Sequence, residues 1–359
     1  MPRLWECAHL PPLADRAVRQ YNESGDEPLG GGQVEIVVSR RKGFCAGVRR
    51  AVEMMERYAQ EEGPIETLGT IVHSPQVVER LAARGVRAVE SLEELEGGTA
   101  AITAHGMGPQ VEEEIRRRGL RLVDATCAIV KKVHLIAGDL AQAGYDIIIF
   151  GDPNHQEVRG IADWAKRGAG SKEPGAGKKE QGTRNKEQGT RNSNREVPGM
   201  AERGGRRVLA TRDWPPPSGH GLSLRKIALL SQTTQGEEDF RRFIGKVLES
   251  NLGRAREVRV VNTICGVTDA QKVAAQEMAQ GVDLVLVLGG RTSANTRHLA
   301  ETCARTGVET HHIESAAEIE PGWLAGKNRV GVTGGTSTPD WVIEQVVAAL
   351  EAAGGETLG

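Results

Sequence analysis

Three cysteines, Cys45, Cys127 and Cys265, each stand between a short apolar run and a stretch with helical periodicity. Val34–Val38 precedes Cys45 and residues 48–58 follow it. Residues 120–123 lead to Asp124-Ala125-Thr126-Cys127, with helical spacing over 129–140. Residues 258–261 lead to Asn262-Thr263-Ile264-Cys265, with helical spacing over 267–279. The cysteines are too far apart to form a local motif, so only a fold can gather them. A cysteine at a strand-to-helix junction sits among free N–H groups and the positive end of the helix dipole, which favour the metal-binding thiolate. Three thiolates at one point repel unless a metal centre lies between them. Three is also one short of the four cysteines that usually hold an iron–sulfur cluster, which leaves one iron open to substrate.

The same strand–loop–helix layout recurs to the C-terminus. Nine such units fall into three sets of three, each set beginning with a cysteine unit. The alternation predicts α/β architecture with largely parallel sheets, in three similar α/β domains in a trefoil arrangement around a common centre. The expected division is a first domain over 33–126, a second over 127–262, a third over 263–338, and a C-terminal helix and tail over 339–359. Ligands of open α/β sheets bind outside the carboxyl ends of the strands, where all these loops lie.

Two stretches depart from the pattern. Residues 1–32, with Pro11-Pro12 and Gly30-Gly31-Gly32, read as an N-terminal extension with Cys7 as a bystander. Residues 168–206 are rich in Gly, Lys, Glu, Asn and Arg, and repeat Lys-Glu-Gln-Gly-Thr-Arg-Asn at 179–185 and 186–192. With almost no apolar residues this stretch reads as a disordered insertion within the second domain. Its mixed charge and lack of aromatics argue against a nucleic-acid arm.

At 359 residues the chain is long enough for two or three cores, and a formal net charge of -2 gives no reason to expect nucleic acid or a membrane surface as partner. No apolar run approaches a membrane span and the first residues lack the apolar core of a signal peptide. Five scattered cysteines do not form a secreted disulfide framework. The expected location is cytoplasmic.

The polar residues at the strand–helix junctions are His73, His105, His155, Glu157, Thr233, Ser293, Asn295 and Ser337. Imidazole, hydroxyl and amide groups at helix N-termini make a phosphate site, because backbone N–H groups add to them. A single Ser or Thr there is ordinarily just an N-cap; the number of such loops beside three cysteines favours a binding site. His105 lies between Ala104 and Gly106, whose small size allows close approach of a ligand. Glu157, the one carboxylate of the set, is placed to hold and deliver a proton. Asp124 and Asp269 are expected to cap their helices, Cys303 to be a buried small residue, and His134, His220, His298, His311 and His312 to be structural or surface groups.

At these residues the chain resembles the 4-hydroxy-3-methylbut-2-enyl diphosphate reductase (IspH/LytB) family. The resemblance spans residues 34–354 apart from the insertion. It rests on Gly-Phe-Cys-Ala-Gly-Val at 43–48, Val-His at 72–73, Ala-His-Gly at 104–106, Asp-Ala-Thr-Cys at 124–127, Asn-His-Gln-Glu-Val at 154–158, Gln-Thr-Thr at 232–234, Thr-Ile-Cys at 263–265 and Gly-Thr-Ser-Thr-Pro-Asp at 335–340. It implies a three-lobed fold around one 4Fe-4S cluster per subunit, held by Cys45, Cys127 and Cys265, whose open iron binds the substrate's allylic hydroxyl. It implies reductive dehydroxylation of that substrate to isopentenyl and dimethylallyl diphosphate, the last step of the methylerythritol phosphate route to isoprenoids. By resemblance Glu157 relays protons, Thr233 is its partner, and His73, His105, His155, Ser293, Asn295 and Ser337 bind the diphosphate, with His155 also positioning Glu157. No Gly-rich dinucleotide fingerprint is present, so electrons are expected from an external carrier such as ferredoxin or flavodoxin.

The chain departs from the family pattern at Ser74 (Asn in the family), Ala128 and Gln156 (each Pro), Ala294 (Ser) and Ala270 (Arg). Ser74 and Ala294 are expected to affect substrate affinity. The competing readings are a non-redox iron–sulfur dehydratase acting on a phosphorylated small molecule, and a structural zinc site, which the lack of close cysteine pairs disfavours.

Overall fold

The computed structural model describes residues 34–167, 207–216, 222 and 224–358. The expectations for residues 1–32, for the insertion 168–206, for Cys7 and for His220 lie outside them.

The chain begins with β1 (Val34–Val38) and α1 (Ala46–Glu61). Next come β2 (Ile65–Leu68), α2 (Pro75–Ala82), β3 (Val86–Val89), β4 (Thr99–Ile102), α3 (Pro109–Arg117) and β5 (Arg121–Asp124). The middle of the chain forms α4 (Ala128–Gln142), β6 (Asp146–Phe150), α5 (Gln156–Arg167), β7 (Val208–Thr211), β8 (Lys226–Ser231), α6 (Glu237–Asn251) and β9 (Glu257–Val260). The remainder forms α7 (Gly266–Ala279), β10 (Leu284–Leu288), α8 (Ala294–Ala304), β11 (Glu309–Ile313), α9 (Pro321–Leu324), β12 (Arg329–Gly334), α10 (Asp340–Ala352) and β13 (Gly355–Leu358).

Three sheets result, ordered β3-β2-β4-β5, β7-β6-β8-β9 and β11-β10-β12-β1-β13, with every pairing parallel. Parallel sheets are buried on both faces, so their central strands read as unbroken apolar runs. The Ile147-Ile148-Ile149 stretch of β6 and all of β10 are fully buried. Each sheet has an apolar cluster on either face. This is the three-lobed α/β architecture expected from the sequence.

The sheets are composed differently from the expected domains. Each contains a strand the nine-unit reading passed over, β3, β7 or β11, and the third sheet contains a second, β13. More consequentially, β1 does not join the sheet of residues 65–124. It lies between β12 and β13 in the third sheet, so the C-terminal helix and tail are part of a lobe rather than an appendage. Ile36, in register with Val330, is fully buried there in one apolar cluster with Leu286 and Val332, which is worth about 1.5–3 kcal/mol. The partly exposed Arg329–Glu35 pair beside it contributes about 0–1 kcal/mol, so apolar burial decides the placement.

With β1 counted there, all three lobes share one order. The first strand has the second on one side and the third on the other, with the fourth beyond the third. Each cysteine follows a fourth strand, and the helix after it packs on the next lobe. Thus α1 packs in the β2 lobe, α4 in the β6 lobe and α7 in the β10 lobe. The cysteines therefore mark the three crossovers between lobes, not the beginnings of domains. In each lobe the strand order reverses between the first and third strands, which is where open α/β sheets bind ligands.

Candidate active site

The loops after those six reversal strands carry the expected residues. His73 follows β2 and His105 follows β4. His155 and Glu157 follow β6, and Thr233 follows β8. Ser293 and Asn295 follow β10, and Ser337 follows β12.

One stitch repeats in every lobe. The cysteine N–H donates to a carbonyl in the loop of the neighbouring third strand: Cys45 to Thr336 O at 3.3 Å, Cys127 to Ala104 O at 3.1 Å and Cys265 to Thr233 O at 2.8 Å. Cysteine geometry and substrate-loop geometry are thereby locked together three times over.

The cysteines are themselves the helix N-caps of α1, α4 and α7. The expectation that Asp124 and Asp269 cap these helices is corrected. Asp124 instead accepts from the Thr126 N–H at 2.9 Å and pairs with Lys131. Asp269 lies inside the first turn of α7. Cys45 Sγ accepts from the Val48 N–H at 3.4 Å.

The three thiols converge. A Cβ on Gly47 would stand 2.8 Å from Cys127 Sγ and 3.8 Å from Cys45 Sγ, so this position requires glycine for the close approach. Burial pushes the Cys45 thiol above its ordinary value, the nearby Cys127 and Cys265 push it further, and the N–H groups of Val48 and Gly47 only partly offset them. Helix N-termini alone do not make this cysteine a thiolate; a cationic centre among the three would.

The three sulfurs do not all lie within 4.8 Å of one another, as ligands of one zinc ion do. The set fits a larger inorganic group with three thiolate ligands, and an iron–sulfur cluster is of that kind. Cys303 is fully buried in α8, apart from this set.

Glu157 sits in the first turn of α5 and is 2% exposed. Its Oε1 accepts from the Thr233 N–H at 2.7 Å and its Oε2 from the Thr233 hydroxyl at 3.0 Å. Burial pushes its carboxyl from 4.5 up to about 7, against the lowering effect of both hydrogen bonds. His155 Nδ1 accepts from the Glu157 N–H at 3.2 Å, which fixes one end of the residue and the histidine tautomer. Because the Thr233 hydroxyl favours the ionised form, Thr233→Val is expected to move the alkaline limb of the pH–rate profile up by about one unit; a profile recorded over pH 5–9 checks this.

His73, His105 and His155 form one cluster, with ring centroids 4.7, 5.8 and 5.4 Å apart. All three are held neutral, chiefly by burial. His155 is lowered to about 4 and His105 falls well below the usual range. His73 Nε2 is buried without a hydrogen-bond partner, as is Asn295 Oδ1. Such atoms in a polar hollow await a ligand. Ser293 caps α8, and the Ser337 hydroxyl donates to Ser293 Oγ at 3.3 Å. A Cβ on Gly290 would lie 2.0 Å from His73 O, so the β10 loop meets the β2 loop closely enough to require glycine.

Four residues of the site were not singled out from sequence as working groups. Arg297, on α8, is the cation whose charge helps depress His73 and His155; it lies one helical turn after Ser293, the one local signal for it. Lys272, buried on α7, donates to Thr234 O at 2.7 Å and Gln235 O at 2.8 Å and so holds the Thr233 loop. Gln271 donates to Gly43 O at 2.9 Å. Gln156, noted above only as a departure, places its Nε2 3.1 Å from Thr103 Oγ1 and 3.3 Å from the carbonyls of Leu68 and Gly106, tying α5 to both histidine loops of the neighbouring lobe. These residues show no motif because their partners come from other segments. Ser74 turns its hydroxyl to Gln76 Oε1 at 3.0 Å, and Ala294 is buried in the first turn of α8.

The family model described as LytB protein matches residues 36–351. The 4-hydroxy-3-methylbut-2-enyl diphosphate reductase of Pelobacter propionicus is 37% identical over 323 residues, covering 88% of this chain and 98% of the relative. The protein of the same name from Dehalococcoides mccartyi is 39% identical over 309 residues, covering 86% and 94%. A solved structure of (E)-4-hydroxy-3-methyl-but-2-enyl diphosphate reductase, described as the terminal enzyme of the non-mevalonate pathway, matches with TM-score 0.59 at 33% identity over 89% of this chain and 99% of that one. The Plasmodium falciparum reductase structure, at 22% identity and TM-score 0.71 over 91% and 92%, shares the fold.

Proposed function

This chain belongs to the LytB protein family, and from that premise we infer how its site works as a 4-hydroxy-3-methylbut-2-enyl diphosphate reductase, the oxidoreductase that ends the non-mevalonate route to isoprenoids. The reaction takes up two electrons and two protons. The C–O bond of the allylic hydroxyl breaks, water leaves, and a C–H bond forms at one or the other end of the allyl system, giving isopentenyl or dimethylallyl diphosphate.

Cys45, Cys127 and Cys265 are the ligands we assign to a 4Fe-4S cluster. Bound there, such a cluster would supply the electrons and a Lewis-acidic iron for the C–O bond. The neutral imidazoles of His73, His105 and His155, with Ser293, Asn295 and Ser337, bind the diphosphate by hydrogen bonds, and Arg297 adds a positive charge beside them. Desolvated donors of this kind gain strength from the low local dielectric.

Glu157 carries the proton. Its carboxyl, pushed up to about 7, is protonated often enough near neutral pH to give a proton and basic enough to be recharged. Thr233 aims it, and Thr233 is itself bonded to the Cys265 N–H, so the acid is referenced to the cluster end of the site. The Glu157–Thr233 pair, buried beside the third cysteine, is the observation that carries this reading. Lys272, Gln156 and His155 hold the pair in place.

The test is anaerobic turnover of 4-hydroxy-3-methylbut-2-enyl diphosphate with dithionite and a viologen as electron source. Both isoprenoid diphosphates should form, with two electrons consumed per product. Loss of water without electron uptake would instead establish a dehydratase. The same protein should carry iron and sulfide when purified anaerobically; zinc in their place would overturn the cluster assignment. The physiological donor we assign is a small external electron carrier such as ferredoxin or flavodoxin, and the expected location is cytoplasmic; no helix among the described residues is long and apolar enough to cross a membrane.

A further inference from the structure

We propose that the surface at the cysteine end of helices α1, α4 and α7 is the docking site for an acidic electron-carrier protein. The proposal rests on the reductase reading, which needs electrons from outside the chain, and goes beyond it by locating their entry.

Each cysteine is half-buried, while the residue after it (Ala46, Ala128 or Gly266) is exposed. The thiol centre thus lies just under the surface at three helix starts. The next residues on α4 and α7 are large, apolar and exposed: Ile129 at 37% and Val267 at 42%. Nothing within the described fold covers them. Exposed apolar residues among polar ones offer a partner protein an apolar contact.

The rim is basic. Arg40, Arg41 and Lys42 line one hollow with Phe44, Cys45 and Val267. Arg49 and Arg50 are exposed on α1, and Lys131 and Lys132 on α4. The acids nearby are accounted for in part: Glu277 pairs with Arg40, Asp340 with Arg49 at 3.0 Å, and Asp124 with Lys131; Glu344 lies in the hollow. Among the described residues Arg41, Lys42, Arg50 and Lys132 make no ion pair, so they leave an excess of positive charge. The three helix N-termini at the cysteines add partial positive charge. For a chain whose formal net charge is -2, this is local concentration rather than overall basicity. A surface of this kind steers an acidic protein to itself, and the apolar centre then holds it.

The experiment compares the cluster-loaded full chain with Arg41→Glu/Lys42→Glu and with Ile129→Asp. Three readouts are taken: turnover driven by a reduced acidic ferredoxin, turnover driven by dithionite and methyl viologen, and direct binding of the ferredoxin at low and high salt. The expected result is a rise in KM for ferredoxin of at least about ten-fold in both variants, since steering and contact each set that constant. The salt dependence should flatten in the charge-reversed variant, and viologen-driven turnover should be unchanged. An unchanged ferredoxin KM overturns the proposal. So does an equal fall in viologen-driven turnover, which would mean these residues support the cluster rather than a partner. If the parent protein turns over with neither donor, the reductase reading fails; ferredoxin binding then still decides the surface, supporting it if binding is salt-sensitive and lost in the variants, and overturning it otherwise.

Discussion

Glu157→Gln is expected to lower turnover by about 10²–10⁴-fold, the usual worth of a positioned general acid, while cluster absorption and iron content stay at parent levels. The substitution isolates the proton. Glutamine keeps the length and shape of the side chain, its carbonyl oxygen can accept from the Thr233 N–H in place of Oε1, and the Thr233 hydroxyl can rotate to accept from the amide. Only the transferable proton is removed. The parent should lose activity as pH rises through about 7, because its buried carboxyl is raised to that value, and this limb should vanish in the variant. The sign of the stability effect follows from the same shift. A carboxyl raised from 4.5 to about 7 favours the folded state in its protonated form. That contribution is fully present below about pH 4.5 and is lost as pH rises through about 7. Stability of the parent relative to Glu157→Gln should therefore decline across that window. Full turnover in the glutamine variant, with the cluster intact, would remove Glu157 from the mechanism.

Cys127→Ser is expected to abolish both the iron–sulfur absorption and turnover, leaving a folded chain. The chain should fold because the backbone bonds of this residue do not need sulfur: its N–H donates to Ala104 O, and the Lys131 N–H donates to its carbonyl. Serine is a better N-cap than cysteine, so α4 loses nothing. What is lost is one of three thiolates, and a hydroxyl does not replace a thiolate as an iron ligand under these conditions. Thermal unfolding of the metal-free protein should be the same in parent and variant, while iron per chain falls in the variant alone. Retained cluster and retained turnover would mean that Cys127 is not a ligand.

Much of this site is readable in the sequence because its parts are local. The strand runs, the helices and the cysteine at each junction are properties of ten to twenty consecutive residues. His155 and Glu157 are two residues apart, and their mutual geometry follows from the start of one helix. The placement of the capping aspartates was misread for a local reason too. Asp124 stands three residues before the N-cap position and closes a turn on Thr126, which leaves the cap to the cysteine. Strands β3, β7 and β11 are only four or five residues long, too short for an alternating or apolar run to stand out from the surrounding loops.

The sequence by itself determined that this is a three-lobed α/β chain with three cysteines at helix starts and a set of polar loops at strand ends. These depend on the period of apolar residues and on residue type at a turn, both local quantities. Only the tertiary structure decided that β1 pairs with β12 across the whole length of the chain, that each cysteine spans two lobes, and that Gln156, Lys272, Gln271 and Arg297 brace the site from neighbouring lobes and helices. The reason is that parallel pairing and lobe-to-lobe packing are chosen by which buried surfaces fit, as Ile36 fits beside Val330. That complementarity involves residues far apart in the chain, and no pattern along it records the match.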